Sequence, residues 1–238
     1  MTRREALGML AAVGATAAVS ETSASAAQHA QSHGNNRFMG PVSHAHLHFC
    51  GIHIGKSDPK VQLIVQHYCC PLGEEMHQCL LFDSVERNAK LIGVEYIISH
   101  QMYRQLPARE KRYWHAHTYE VLAGGLISPN MGADEEMKFM KALITTWGKT
   151  WHTWPDPRSA VPMGEPMLMW SAMGDGQINR EVLAARDRQF NVDAERIREA
   201  RVAEIGYAVP QVALPKGLDT TGRQWTNEGN DVPRRRGD

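Results

Sequence analysis

The residues most able to do chemistry in this 238-residue chain lie in Tyr113-Trp114-His115-Ala116-His117-Thr118-Tyr119-Glu120, just before Gly124-Gly125. Alternation of the kind found in a β-strand puts residues i and i+2 on one face, so His115 and His117 are expected side by side. Two imidazoles on one strand face can bind a single metal if other elements bring further ligands. The candidates to complete the sphere are His67, His152 and Glu95, and the ion such donors suit is divalent, zinc or iron. In a regular strand Glu120 would face away from His117, and only a bulge would turn it round. The competing interpretation is structural, with His115 and His152 as interior rings hydrogen-bonded to neighbours and the tryptophans as core aromatics.

Glu95 belongs to the clearest strand pattern, Lys90 to Ser99. Ile92, Val94, Tyr96 and Ile98 share one face, while Leu91, Gly93, Glu95 and Ile97 share the other. A carboxylate between apolar neighbours is either on a partly solvated face or a buried ligand or base. Buried carboxylates are rare unless paired, which favours the solvated face.

The alternating His44–Phe49 segment fits a half-buried strand or a loop entering one, and other strands are expected from Val61–Cys70, from Cys79–Asp83, from Lys149–Trp154 and from Met167–Ser171, with the His115 segment itself a strand. Helices are expected over Met102–Trp114, with Pro107 in or breaking its first turn, and over Asp134–Trp147. Two more fit Asn179–Phe190 and Asp193–Glu204, the last capped by Asp193. The methionines of the second helix fall at core spacing, not in a copper-binding array. Mixed strands and helices without regular βαβ alternation predict a single α+β domain with a largely antiparallel sheet and flanking helices.

Composition bounds the function classes. Lys+Arg and Asp+Glu are equal at 26 each, so no global field favours nucleic acid or an anionic membrane. Twelve histidines are the outlier, most of them between His44 and His152. No Gly-x-Ser-x-Gly elbow or phosphate-binding glycine loop occurs, which leaves serine hydrolase and nucleotide chemistry without support.

The N-terminus reads as an address. Arg3-Arg4, a weakly apolar Ala- and Gly-rich run to Val19, and Ala24-Ser25-Ala26 predict an export signal of twin-arginine type over residues 1–27. A flexible leader follows over 28–43, then the domain over 44–205 and an irregular or disordered tail over 206–238. The location this implies is periplasmic or secreted. The run is too short and too weakly apolar to stay as a membrane span, so no integral segment is expected after cleavage. Export permits disulfides. Cys69 and Cys79 could pair across a hairpin, or could be buried small apolar residues with Cys50 and Cys70; cysteine-bound zinc ranks last, because no Cys-x-x-Cys is present.

Several blocks together carry a resemblance. His67-Tyr68-Cys69, Gln78-Cys79-Leu80, Leu91-Ile92-Gly93-Val94-Glu95-Tyr96, Trp114-His115-Ala116-His117, Tyr119-Glu120-Val121, Gly148-Lys149-Thr150 and His152-Thr153-Trp154 resemble the oil body-associated protein family. The similarity runs on through Gly164-Glu165-Pro166 to Arg186-Asp187. His67, Cys69, Cys79, Glu95, His115, His117, Glu120 and His152 occupy family-like positions, while His77 departs from an expected basic residue. The resemblance implies a lipid or small hydrophobic ligand, since plant members associate with seed oil bodies; it implies no reaction. The export signal departs from the plant pattern. Three classes follow: a metal-dependent protein, a lipid-associated binding protein, and a non-catalytic envelope protein with structural histidines.

Overall fold

A computed structural model describes residues 40–212 and 235–237. The expected export signal, the leader as far as residue 39, and the tail over 213–234 lie outside the described residues. A short 3-10 turn, Gly40–His44, comes first; the compact unit described below begins at His44.

Among the described residues seven strands form: β1 (Leu47–Gly55), β2 (Gln62–Pro71), β3 (Met76–Phe82), β4 (Leu91–Ile98), β5 (His115–Ala116), β6 (Trp147–His152) and β7 (Met167–Trp170). Every pairing is antiparallel. β1 pairs with β2, β2 with β3 and β3 with β4. β4 then pairs with β6, β6 with β7, and β7 returns to β1. Six strands thus close into a barrel, and β5 adds a two-residue pairing alongside the start of β6. The expected α+β sheet flanked by helices is therefore corrected to a mostly β, closed barrel with a few short helices. Closure depends on the β4–β6 pairing, which joins Glu95 to Thr150 across more than fifty residues of intervening chain. Local periodicity carries no trace of such a contact, and closing the ring also removes the sheet edges.

Register places one side of each strand inside. Across the barrel Cys69 faces Cys79, Cys79 faces Glu95, Glu95 faces Thr150, Thr150 faces Met169 and Met169 faces Gly55. A neighbouring layer runs His67, Leu81, Gly93, His152, Met167. Cys69 and Cys79, directly opposed, form a disulfide, which resolves their alternatives; Cys50 and Cys70 are free and buried.

The helices are α1 (His100–Gln105), α2 (Ala108–Lys111), α3 (Thr118–Leu122), α4 (Ala133–Leu143), α5 (Arg180–Phe190) and α6 (Ala194–Ile205). The helix expected over Met102–Trp114 is two short ones, because Pro107 cannot continue α1 and Leu106 before it is extended. The helix expected to reach Trp147 stops at Leu143, so Trp147 and Gly148 open β6 instead. Tyr103 stacks on the buried Trp147 ring at 3.6 Å, a packing that rewards strand over helix there. Val121, Leu122 and Leu126, with Met140, Leu143 and Ile144, pack onto inward-facing Phe49, Val65, Leu81 and Ile97, so α3 and α4 plug the barrel.

Two buried arginines hold that plug. Arg186 of α5 donates to the carbonyls of Gly125 and Gly124 at 2.7 and 2.6 Å, and Arg201 of α6 donates to those of Val121 and Leu126 at 2.7 and 2.8 Å. Carbonyls at the end of α3 have no intrahelical partner, and the guanidinium groups supply one. Gly124 allows the turn at φ +71°, and a Cβ there would lie 2.5 Å from the Ala194 carbonyl oxygen. Asp193 caps α6 as expected, accepting from the Glu195 and Arg196 amides.

Candidate functional site: a buried imidazole–carboxylate cluster

Glu95 lies at the centre of the barrel, 2% exposed, so the partly solvated face expected for it is corrected. What the strand pattern could not reveal is that the face shared with Leu91 and Ile97 turns into the closed interior. Four imidazole Nε2 atoms approach its carboxylate. His67 stands 2.9 Å and His53 3.7 Å from Oε2; His117 stands 3.4 Å and His115 3.6 Å from Oε1. His53 and His67 are 3.0 Å apart, Nε2 to Nε2. Each ring comes from a different element: His53 from β1, His67 from β2, His115 from β5, and His117 from the residue that precedes α3.

The chain turns into α3 straight after β5, so His115 and His117 do not share a strand face as expected. Both nevertheless reach Glu95 Oε1, because the chain enters α3 at His117 with φ −82° and ψ −5°. Helical spacing also brings Glu120 back towards His117, its Oε1 3.7 Å from Nε2. The bulge invoked for Glu120 is unnecessary: a helical turn does the work.

His152 lies one step behind, its Nε2 2.9 Å from His53 Nδ1. Cys69 and Cys79 lie in the register row of Glu95 itself, tied to each other in the disulfide. The reading of the sequence thus assembled His67, Glu95, His115, His117, His152 and Glu120 in one region and missed His53. Its signal was parity: residues 49, 51 and 53 of one strand share a face, and Phe49 marks that face as interior.

His117 has a defined hydrogen-bond polarity. Thr146 Oγ1 donates to the Leu143 carbonyl at 2.7 Å, so its oxygen is left to accept from His117 Nδ1, also at 2.7 Å. With Nδ1 carrying a proton, the Nε2 lone pair points at a carboxylate oxygen, and either a proton or a cation must lie between them. His67, His115 and His152 have buried Nδ1 atoms without a hydrogen-bond partner.

The electrostatics are those of a dry pocket. Burial takes His115 and His152 down to about 3 against the opposing pull of the Glu95 charge, and burial followed by His67 holds His53 well below its ordinary value. Burial opposes charge on Glu95, yet the His117 and His67 rings set against its oxygens, with the neighbouring imidazoles, outweigh burial and keep its carboxyl well below the usual range. Glu120 behaves oppositely, raised well above the carboxylate range by burial and then by the charge on Glu95.

Gly148 preserves the space beside Oε1. A Cβ there would come within 2.1 Å of Glu95 Oε1, 2.7 Å of His117 Nε2 and 2.8 Å of His115 Cε1. The site is therefore two compact donor sets, His53–His67–Glu95 and Glu95–His115–His117, whose donor atoms within each lie within 4.8 Å of one another.

Fold and site together define a closed antiparallel barrel whose interior carries imidazoles gathered on one carboxylate. The chain belongs to the family described as "Protein of unknown function (DUF1264)", whose model matches residues 39–205, and its relatives are the oil body-associated proteins. It is 35% identical to oil body-associated protein 1B of Arabidopsis thaliana over 167 residues, 70% of this chain and 69% of that protein. It is 33% identical to oil body-associated protein 1A of Zea mays over 193 residues, 81% and 80% of the two chains. No solved structure matches it.

Proposed function

We propose that this protein holds a divalent metal inside the barrel on Glu95, His53, His67, His115 and His117. The observation that carries the reading is the His117–Glu95 pair. Thr146 orients the ring so that a lone pair faces a buried carboxylate oxygen 3.4 Å away, an arrangement that a cation satisfies. Neutral imidazoles with a carboxylate suit zinc or ferrous iron. The ion would supply Lewis-acid chemistry to whatever it meets, while His152 orients His53 and Glu120 stands beside His117.

The test is the metal content of full-length protein stripped with chelator, reloaded separately with Zn²⁺ and Fe²⁺ and dialysed. At least one equivalent is expected in the native protein, with strong loss in Glu95→Gln whose circular dichroism stays native. Failure of both ions to bind the folded native protein would sink the reading.

A second reading, a small apolar ligand, has its own observation. A pocket of about 70 Å³ lies between α4 and the strands, lined by Phe49, Ile97, Phe139 and Leu143 among others. Its size suits a few carbon atoms rather than a whole lipid. Thr146, which orients His117, also lines it. Small alkanols or short fatty acids that shift the fluorescence of the native protein, with no shift in Phe139→Trp, would support it.

Export through the twin-arginine route to a periplasmic or secreted location is part of the proposal. The Cys69–Cys79 disulfide supports it, since such bonds persist in oxidising compartments. Fractionation of cells expressing the tagged chain with and without Arg3→Lys/Arg4→Lys tests it; retention unaffected by the change would count against that route.

A further inference from the structure

Resting on the metal reading above, the geometry points to two ions rather than one: we infer that Glu95 is a bridging carboxylate, with one divalent cation on His53, His67 and Oε2 and a second on His115, His117 and Oε1.

The donors sort by oxygen. His67 and His53 stand 2.9 and 3.7 Å from Oε2, whereas His117 and His115 stand 3.4 and 3.6 Å from Oε1. Donors held tetrahedrally at 2.0–2.2 Å from one ion lie about 3.3–3.6 Å from each other. The triangle of His53, His67 and Oε2 has edges of 2.9, 3.0 and 3.7 Å, two shorter and one longer than the face of such a sphere and each within about 0.4 Å of it. On the other side the two edges to Oε1 are 3.4 and 3.6 Å. A carboxylate offering one oxygen to each of two ions sets them roughly 3.5–4 Å apart, the spacing of two-metal sites.

Three further features fit two centres. Glu120, 3.7 Å from His117 Nε2, puts a second carboxyl group on the Oε1 side only. His152, 2.9 Å from His53 Nδ1, serves the Oε2 side only, fixing the tautomer that leaves a lone pair on His53 Nε2 when it accepts from Nδ1. Gly148 keeps the Oε1 side open, since a Cβ would overlap Glu95 Oε1, His117 and His115. Each half therefore has its own ligand pair and its own supporting residue, and Glu95 is common to both.

The experiment is Mn²⁺ titration of chelator-stripped full-length protein, read by bound metal per chain and by electron paramagnetic resonance. About two equivalents with an exchange-coupled spectrum are expected. His115→Gln/His117→Gln and His53→Gln/His67→Gln are each expected to keep about one equivalent with the spectrum of an isolated ion. One equivalent in the native protein, abolished by either pair of substitutions, would overturn the bridge and leave the single-metal reading standing. Two uncoupled ions would also overturn it. No binding of Mn²⁺, Zn²⁺ or Fe²⁺ would remove the metal reading itself. Should a histidine variant fail to fold, the stoichiometry and coupling of the native protein decide alone.

Discussion

At the scale of single residues the site is defined as much by what is missing as by what is present. Gly148 is inward-facing in a buried strand, where a missing side chain ordinarily weakens packing. Its neighbours explain it: a methyl group would collide with Glu95 and the two rings beside Oε1. Gly148→Ala is therefore expected to lower unfolding stability by about 1–3 kcal/mol through overpacking. It should also lower metal stoichiometry while the His53–His67 half still binds. Urea titration and metal analysis of the same preparation check both effects; an alanine variant with native stoichiometry would show that the space beside Oε1 is not used. Cys50 makes a contrast. Burial pushes its thiol up to about 12, so it stays protonated and is no candidate nucleophile.

At the scale of elements, α3 is short, yet it carries Glu120 and begins at His117. A five-residue helix has too few internal hydrogen bonds to hold itself, so its position depends on the helices packed over it. Arg201 donates to the Val121 and Leu126 carbonyls and lies 3.1 Å from Glu136. Arg201→Met removes the donor that the Val121 and Leu126 carbonyls share, leaving Val121 with the 3.4 Å bond from the Gly124 amide, with an expected cost of about 2–4 kcal/mol. Metal affinity should fall with it, because α3 positions two donors. Chemical denaturation with a parallel zinc titration would reveal it, and unchanged affinity in a destabilised variant would detach α3 from the site. The β2–β3 hairpin has its own constraint in the Cys69–Cys79 disulfide, which closes a short loop. Cys69→Ala/Cys79→Ala is expected to cost about 2–3 kcal/mol, measured by urea midpoint with native protein under reductant as the comparison.

At the scale of the whole molecule, the buried cluster couples stability to pH. In metal-stripped protein His115 and His152 take up protons only near 3, and His53 well below its ordinary value, whereas each would protonate near 6.5 once unfolded. Between those values the unfolded chain binds more protons, so stability rises with pH and is lost on acidification. Glu120 has the opposite sign above 4.5, but it is one proton against three. Glu95, held low, adds to the acid loss below 4.5. The melting temperature of stripped protein is therefore expected to fall from pH 7 to pH 5, with each net proton contributing on the order of 1 kcal/mol per pH unit. Bound metal should raise it at neutral pH by mass action. A melting temperature flat across that range would contradict the burial of neutral rings.

Sequence alone determined the local pieces: most strands, the Asp193 cap, and which face of β4 carries Glu95, while at Pro107 it left a first turn and a break both open. It also drew attention to His67, Glu95, His115, His117, Glu120 and His152, because residue types and alternation are local properties that can be read along the chain. Only the tertiary structure decided that the sheet closes, since the β4–β6 and β1–β7 pairings are long-range and leave no periodic signature. Closure converted the face of Glu95 from surface to interior and recruited His53, whose place on β1 put it beside His67. It also exchanged the strand expected after Ala116 for the turn of helix that sets Glu120 beside His117. The physical reason is one of range: alternation tells which residues share a face, while packing between distant segments decides whether that face meets water or the centre of a barrel.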